Sequence, residues 1–299
     1  MPEAVVLRAA TRGSKLALWQ TGHVGRLLAA ATGGAVSVEP VVVSTKGDRR
    51  LDLQIAEIGG KGVFAREVQT ALLDGRADLA VHSGKDLPSV TPPGLVVAAT
   101  PERGDPRDAL VGAPLAGLAV GAVVATGSAR RRVQLAALRP DLRFAGLRGN
   151  VDTRVARAGE FGAIVLAAAA LARLGLHAHI AEVLAPEVMV PQACQGTLAV
   201  ECRADDAATR ALLAGIEHAP TRLTFEAERS FLAALGADCS LPAGAHCTIG
   251  GGGRLTLTGV LADSAESSAP LRRSAEGRDP AELGSAVAAE LLLAAGAAP

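Results

Sequence analysis

Short apolar runs alternate with amphipathic stretches along most of this chain, and each run points to an element. Residues 5–10 read as a buried strand, after which Ser14 can cap a helix carrying Leu16, Trp19, His23 and Leu27 on one face. Residues 36–44 are β-rich and predict a second strand. Gly59-Gly60-Lys61-Gly62 then opens a helix to about Leu73 with Phe64, Val68 and Leu72 as its apolar stripe, and Gly75 stands where that helix should stop. Residues 78–81 predict a strand, and residues 82–88 a loop at its end.

The segment 100–106, Thr-Pro-Glu-Arg-Gly-Asp-Pro, breaks the pattern and predicts a hinge between domains. Beyond it the alternation restarts: strands at 121–125, 142–145 and 163–166, helices at 128–138 and 150–158, and a helix ending near Gly175. A third unit starts near Pro220, with a helix at 224–235, a glycine-rich loop holding Cys239, a strand at 255–261 and a closing helix from about Pro280. Strands alternating with helices predict α/β units around a largely parallel sheet, where ligands sit beyond the carboxyl ends of strands. Arg12 and Ser14, Lys85 and Asp86, and Thr126 and Ser128 share that address.

Composition narrows the classes. At 299 residues the chain has room for two domains or three small ones. Hydrophobic residues at 49% and charged residues at 20% exclude bulk disorder. Aromatics at 2% and a balance of 30 basic against 30 acidic residues argue against a nucleic-acid binder, which stacks bases on rings and carries a basic domain. No apolar run is long enough to span a bilayer, and the N-terminal segment lacks the signal-peptide pattern, so a cytoplasmic protein is expected. The four cysteines form no C-x-x-C pair, and His177 with His179 has no completing acid or cysteine, so no metal site is expected.

Charge is neutral only in total. Between Thr126 and Arg157 stand eight arginines (Arg130, Arg131, Arg132, Arg139, Arg143, Arg148, Arg154 and Arg157) against two acids, Asp141 and Asp152. Guanidinium groups hold carboxylate or phosphate through paired donors, so the run suits a multiply anionic ligand; a solvated arginine-rich face is the alternative. In His82-Ser83-Gly84-Lys85-Asp86-Leu87-Pro88 a cation and a carboxylate sit side by side at a strand end, which fits either an exposed ion pair or an anion-holding Lys85 with Asp86 facing a developing cation. Gly60-Lys61-Gly62-Val63-Phe64-Ala65 fits G-x-G-x-x-A but follows a poor strand, and a glycine loop opening a helix reads better. Cys239 lies on a glycine-rich loop, where a thiol is accessible for covalent chemistry, although a small buried hydrophobe is the usual fate of cysteine. Cys194, Cys202 and Cys247 fit the buried fate better.

These segments, taken in order, resemble the porphobilinogen deaminase (hydroxymethylbilane synthase) family over essentially the full chain. The matching stretches are residues 10–20 (Ala-Thr-Arg-Gly-Ser-Lys-Leu-Ala-Leu-Trp-Gln), Lys46-Gly47-Asp48, residues 59–64, residues 82–88 and Arg107-Asp108-Ala109. Residues 147–154, Gln195-Gly196, Glu201-Cys202-Arg203 and the Cys239 loop continue the match. The resemblance implies an α/β fold with two domains like type-2 periplasmic binding proteins, residues 1–100 with 197–218 and residues 104–193, the latter bearing the arginine-rich cleft wall. A smaller α+β C-terminal domain, residues 220–299, would carry the cofactor cysteine. The implied activity is a transferase that condenses four porphobilinogen units stepwise, releasing ammonia at each addition and then hydroxymethylbilane by hydrolysis. The implied cofactor is a dipyrromethane joined to Cys239 by a thioether.

Carried over by motif, Lys85, Thr126, Ser128, Arg130 and Arg131 would hold the cofactor. Arg12, Ser14, Arg148, Arg154 and Arg173 would hold incoming porphobilinogen, and Asp86 would be the catalytic carboxylate. Each pyrrole bears an acetate and a propionate, so the growing product is a polyanion. At roughly 1.5–3 kcal/mol per charge-assisted hydrogen bond, a few arginine contacts supply the about 8 kcal/mol that micromolar binding needs. A monomer without membrane, nucleic-acid or metal partners is the family expectation.

Several positions depart from the family pattern. Gly84 replaces the common Met, Ala125-Thr126-Gly127-Ser128-Ala129 loses a hydroxyl at Gly127, and Asp152 brings a negative charge near Arg148 and Arg154. The cysteine loop reads Ala-Asp-Cys-Ser-Leu-Pro. Two rival readings remain at this level: a non-catalytic module for a small anion, and a nucleic-acid binder using the arginine run.

Overall fold

The computed structural model describes residues 5–44, 65–236, 241–267 and 269–296. It divides into two compact units, Met1–Arg103 with Thr197–Leu223, and Gly104–Gly196 with Thr224–Pro299. Of the residues expected as a separate C-terminal domain, 220–299, those from Thr224 onward are grouped with the second unit. The chain leaves the first unit inside segment 100–106 and re-enters it at Thr197.

In chain order the described elements begin with β1 (Val5–Thr11), α1 (Lys15–Ala31), β2 (Val36–Val42), α2 (Arg66–Leu73), β3 (Leu79–Ser83) and β4 (Leu95–Ala99). The second unit adds β5 (Asp108–Gly112), β6 (Val123–Ala125), α3 (Ala129–Leu138), β7 (Arg143–Ala145), α4 (Val151–Ala156), β8 (Ala163–Ala167), α5 (Ala168–Arg173) and β9 (Ile180–Leu184). Then follow β10 (Leu198–Arg203), α6 (Ala207–Ala214), α7 (Ala219–Ala234), β11 (Ala243–Ile249), β12 (Leu255–Leu261), β13 (Leu271–Gly277) and α8 (Pro280–Ala294).

The first unit's sheet runs β2-β1-β3-β10-β4, and the second unit's runs β7-β6-β8-β5-β9. Neither is largely parallel, which corrects the sequence expectation. β1 pairs in parallel with β2 and β3, but β10 is antiparallel to both β3 and β4. β5 is likewise antiparallel to β8 and β9. The reason is the double crossing of the chain, since β10 enters its sheet from the other unit and inserts between strands already laid down. β11, β12 and β13 form a separate antiparallel sheet covered by α8.

Two local expectations also change. The face of α1 that is buried carries Ala17, Gln20, Thr21, Val24 and Leu28, one residue along from the predicted stripe. Trp19 instead stacks on His23 at 5.0 Å with interplanar angle 12°. Small residues let the helix sit close to the sheet, and they carry little hydrophobic signal. His82 and Ser83, expected in a loop, are the last residues of β3, because β10 extends the ladder through Ala199 and Leu198. The helix after Gly59 is described only from Arg66, and Phe64 lies outside the described residues. Val68 and Leu72 are buried as expected, and Gly75 follows the helix at φ +69°.

In the first unit the core gathers Leu7, Val24, Leu28, Leu79, Val81, Val200 and Leu213. Its counterpart in the second holds Leu110, Val124, Leu135, Val165, Leu184 and Met189. α8 crosses α7 at Gly284, where an added Cβ would press on the carbonyl of Ala227 and lie 2.7 Å from the Phe231 nitrogen. Backbone cannot yield as a side chain can, so Gly284→Ala should destabilise the protein by about 1–3 kcal/mol. Thermal melting checks this, and an unchanged midpoint would contradict the close helix crossing.

Candidate active site

In the first unit, polar side chains from two strand ends and a helix meet at one small cavity of about 60 Å³. Arg12 follows β1. Ser14 caps α1, its hydroxyl accepting the Ala17 N–H at 3.2 Å. Gln20, one turn into α1, donates to the Ser83 hydroxyl at 2.8 Å. Beyond β3 the chain makes a single tight turn, Gly84–Asp86, that delivers Asp86 to the cavity. The Gly84 N–H bonds the Thr197 carbonyl at 2.9 Å, and buried Leu87 anchors the turn's far side. Gly84 is buried, and its φ lies outside the left-handed region.

Arg12, Ser14, Gln20, His82, Ser83 and Asp86 line this cavity, with Leu16, Ala17, Val68 and Val81 as its apolar part. Lys85 shares the turn, half-buried, outside that lining. Behind the cavity, His82 Nε2 lies 3.1 Å from Glu201 Oε2, and Gln69 donates to both Glu201 oxygens at 3.2 and 2.9 Å. Gln20, Ser83 and Glu201 were not singled out from sequence. The usable signal was contiguity, since Gln20 and Glu201 fall inside matching segments and Ser83 inside the Asp86 motif.

The second unit holds a different kind of site. Asp108, the first residue of β5, is fully buried between two guanidiniums. Arg131 donates to Asp108 Oδ1 from Nε at 3.0 Å and from Nη2 at 2.7 Å, while its Nη1 donates to the Val165 carbonyl at 2.9 Å. Arg130 Nη1 approaches Asp108 Oδ2 at 2.8 Å as an ion-pair contact, its hydrogen bond going to the Val190 carbonyl at 2.7 Å. Gln195 adds a donor to Oδ1 at 2.9 Å. Burial pushes the Asp108 carboxyl up, but Arg130 and Arg131 outweigh it and hold the carboxyl well below the ordinary range.

Two cations on one carboxylate leave a buried positive charge in excess. Among the described residues, Arg130 Nε and Arg148 Nη1 are buried donors that meet no acceptor in the protein. Burying such donors costs free energy unless something accepts from them. Thr126 is buried and its hydroxyl accepts the Ser128 N–H at 3.2 Å. Ser128 begins α3 without a side-chain cap bond. Arg173, ending α5, donates to the Gly196 carbonyl, and burial lowers its pKa to about 10. It stays charged at neutral pH, at a desolvation cost that an anion would offset. Arg148 and Arg154 are half-buried, on the loop after β7 and on α4.

The remaining arginines of the run behave otherwise. Arg139, part-buried, pairs with Asp141 at 2.6 Å and donates to the Leu115 and Leu118 carbonyls, while Arg157 pairs with Glu160 at 2.7 Å and Arg132 with Glu266 at 3.0 Å toward solvent. For Arg132 and Arg157 the solvated-face reading holds. Gly127 has a packing reason: a Cβ there would lie 3.0 Å from the Leu147 carbonyl. Asp152 accepts the Thr153 N–H at 3.0 Å in the first turn of α4. Cys194, Cys202 and Cys247 are buried free thiols, and burial pushes Cys202 up to about 11. Cys239 lies outside the described residues.

The arrangement is thus a carboxylate and an arginine lining one cavity in one unit, and a cluster of buried arginines around one carboxylate in the other. Comparison with known proteins agrees. Residues 7–211 match the family described as "Porphobilinogen deaminase, dipyromethane cofactor binding domain", and residues 222–293 match "Porphobilinogen deaminase, C-terminal domain". The chain is 51% identical over 259 residues to the porphobilinogen deaminase of Nitratidesulfovibrio vulgaris (strain DSM 19637 / Miyazaki F), covering 85% of this chain and 81% of the relative. It is 46% identical over 296 residues to that of Brevibacillus brevis, covering 97% and 94%. Among solved structures, a TRAP periplasmic solute binding protein from Desulfovibrio salexigens aligns with TM-score 0.43 and 11% identity, covering 76% of each chain.

The Asp108 cluster makes a prediction of its own. Asp108→Asn leaves two buried guanidiniums without their counter-charge and should cost about 3–5 kcal/mol. Because the folded carboxyl titrates below its unfolded value near 3.9, its stabilisation is complete above that pH and is lost as pH falls from there. Melting temperature measured against pH should therefore drop below about pH 4 in the wild type, and Asp108→Asn should lack that share of the drop.

Proposed function

The chain belongs to the porphobilinogen deaminase family, and from that premise we propose how its own residues divide the work. It is a hydroxymethylbilane synthase, a transferase of tetrapyrrole biosynthesis that uses a dipyrromethane cofactor. It joins four porphobilinogen units one after another, with loss of ammonia, and releases the linear tetrapyrrole by hydrolysis. When bound, the cofactor supplies the free pyrrole α-carbon from which the product grows.

The residues present fit that cofactor. The positive charge left over at Asp108, with the buried donors Arg130 Nε and Arg148 Nη1, calls for carboxylates. We assign Arg130, Arg131, Thr126, Ser128 and Lys85 to hold its acetate and propionate groups. Cys239 is the attachment point in this reading. Support comes from the other three cysteines, which are buried and, at Cys202, held as the unreactive thiol. Arg148, Arg154 and Arg173 receive carboxylates of incoming porphobilinogen, as do Arg12 and the hydroxyl of Ser14.

The observation that carries the reading is that Asp86 and Arg12 line one cavity. Arg12 can hold a substrate carboxylate while Asp86 faces the carbon that loses ammonia. Departure of ammonia leaves a cation shared between that carbon and the pyrrole nitrogen. A carboxylate about 4 Å away, at an effective dielectric of about 20, is worth roughly 4 kcal/mol. That is about a thousandfold in rate. Asp86 also accepts the pyrrole N–H and can take a proton. No step assigned here calls on a metal. We take the working unit to be a cytoplasmic monomer; among the described residues no helix is long and apolar enough to cross a membrane.

Asp86→Asn should therefore fold with a near-normal melting point and lose about three orders of magnitude in kcat, with smaller change in KM. Steady-state assay of tetrapyrrole formation checks it, and turnover within tenfold of wild type would remove Asp86 from the catalytic role.

A further inference from the structure

We propose that His82, held by Glu201, is a positioning residue that takes on the proton Asp86 collects at each condensation; the idea rests on the assignment of Asp86 above. His82 is 7% exposed and lines the same cavity as Asp86. Its Nε2 is buried and turned to Glu201 Oε2 at 3.1 Å, an off-axis ion-pair contact rather than an aligned hydrogen bond. Glu201 is fully buried on the neighbouring strand β10, and Gln69 of α2 fixes both of its oxygens. With Nε2 facing the carboxylate, Nδ1 is the ring nitrogen left to accept a proton. A carboxylate so placed orients an imidazole and sets which ring nitrogen carries the proton.

The reaction needs such an outlet. In each round the C–N bond to the leaving ammonia breaks and a C–C bond forms to a pyrrole α-carbon. The α C–H bond then breaks, its electron pair returning to the ring and its proton passing to Asp86. Asp86 must be ionised again before the next cation forms. Transfer to His82 Nδ1 restores it, and the proton leaves with the released ammonia as ammonium, so the balance closes. The cavity, about 60 Å³, is large and polar enough for water to carry the proton between them.

The test uses the cofactor-loaded protein and two readouts. In ¹⁵N-histidine NMR, neutral His82 should carry its proton on Nε2, and Glu201→Gln should mix the tautomers. In steady-state assays, Glu201→Gln and His82→Gln should each lower kcat by at least about tenfold while KM stays within about twofold. A wild-type Nδ1–H tautomer, or kcat within twofold of wild type in His82→Gln, would overturn the proposal. The tautomer is read in the wild type, so it decides even where Glu201→Gln fails to fold. If Asp86→Asn is inactive while His82→Gln turns over normally, this proposal alone fails; if Asp86→Asn is active, the assignment beneath it fails.

Discussion

A fully buried carboxylate shared by two arginines governs the second unit. Asp108 sits at the start of β5, Arg130 and Arg131 at the start of α3, and Gln195 just before the chain leaves the unit. Burying ions is expensive, and removing one partner strands the others. The cluster therefore fixes where α3 meets the sheet and where segment 190–195 runs, since Arg130 and Gln134 both bond Val190. It also leaves one cation more than the carboxylate can neutralise. In the proposed function that surplus is the place a net-neutral protein offers to a chain of carboxylates.

The first unit solves a different problem with similar means. In the proposed mechanism Asp86 has to be held at its cavity, so its turn must not drift. The fold answers with backbone: Gly84 hydrogen-bonds into β10, and Leu87 is buried beyond the turn. The antiparallel return of β10 supplies both the Thr197 carbonyl and Glu201. A strand absent from the simple α/β expectation thus pairs with β3 and holds the turn that carries Asp86.

Much of the site was legible because its residues lie in short contiguous strings. Ser14 capping α1 and the Asp86 motif beyond a strand could be read from residue type and order alone. What could not be read were the pairings. Gln69 and Glu201 are 132 residues apart, and Asp108 and Gln195 are 87 apart. The arginine run looked uniform in sequence, yet Arg130 and Arg131 are buried while Arg157 pairs with a neighbour at the surface. Burial depends on which strand lies across from a helix, and periodicity does not report it. The α1 face slipped by one residue for a related reason: Ala17 and Thr21 pack closely but look unremarkable beside Leu16 and Trp19.

The central claim is that this chain grows its product on a dipyrromethane tethered to Cys239 and neutralised by arginines. Intact mass of the purified protein tests it most directly. The account predicts a mass above that of the sequence by one dipyrromethane, with Cys239→Ser lacking the increment and the activity together. An active wild-type protein at its bare sequence mass, or the increment retained in Cys239→Ser, would contradict it.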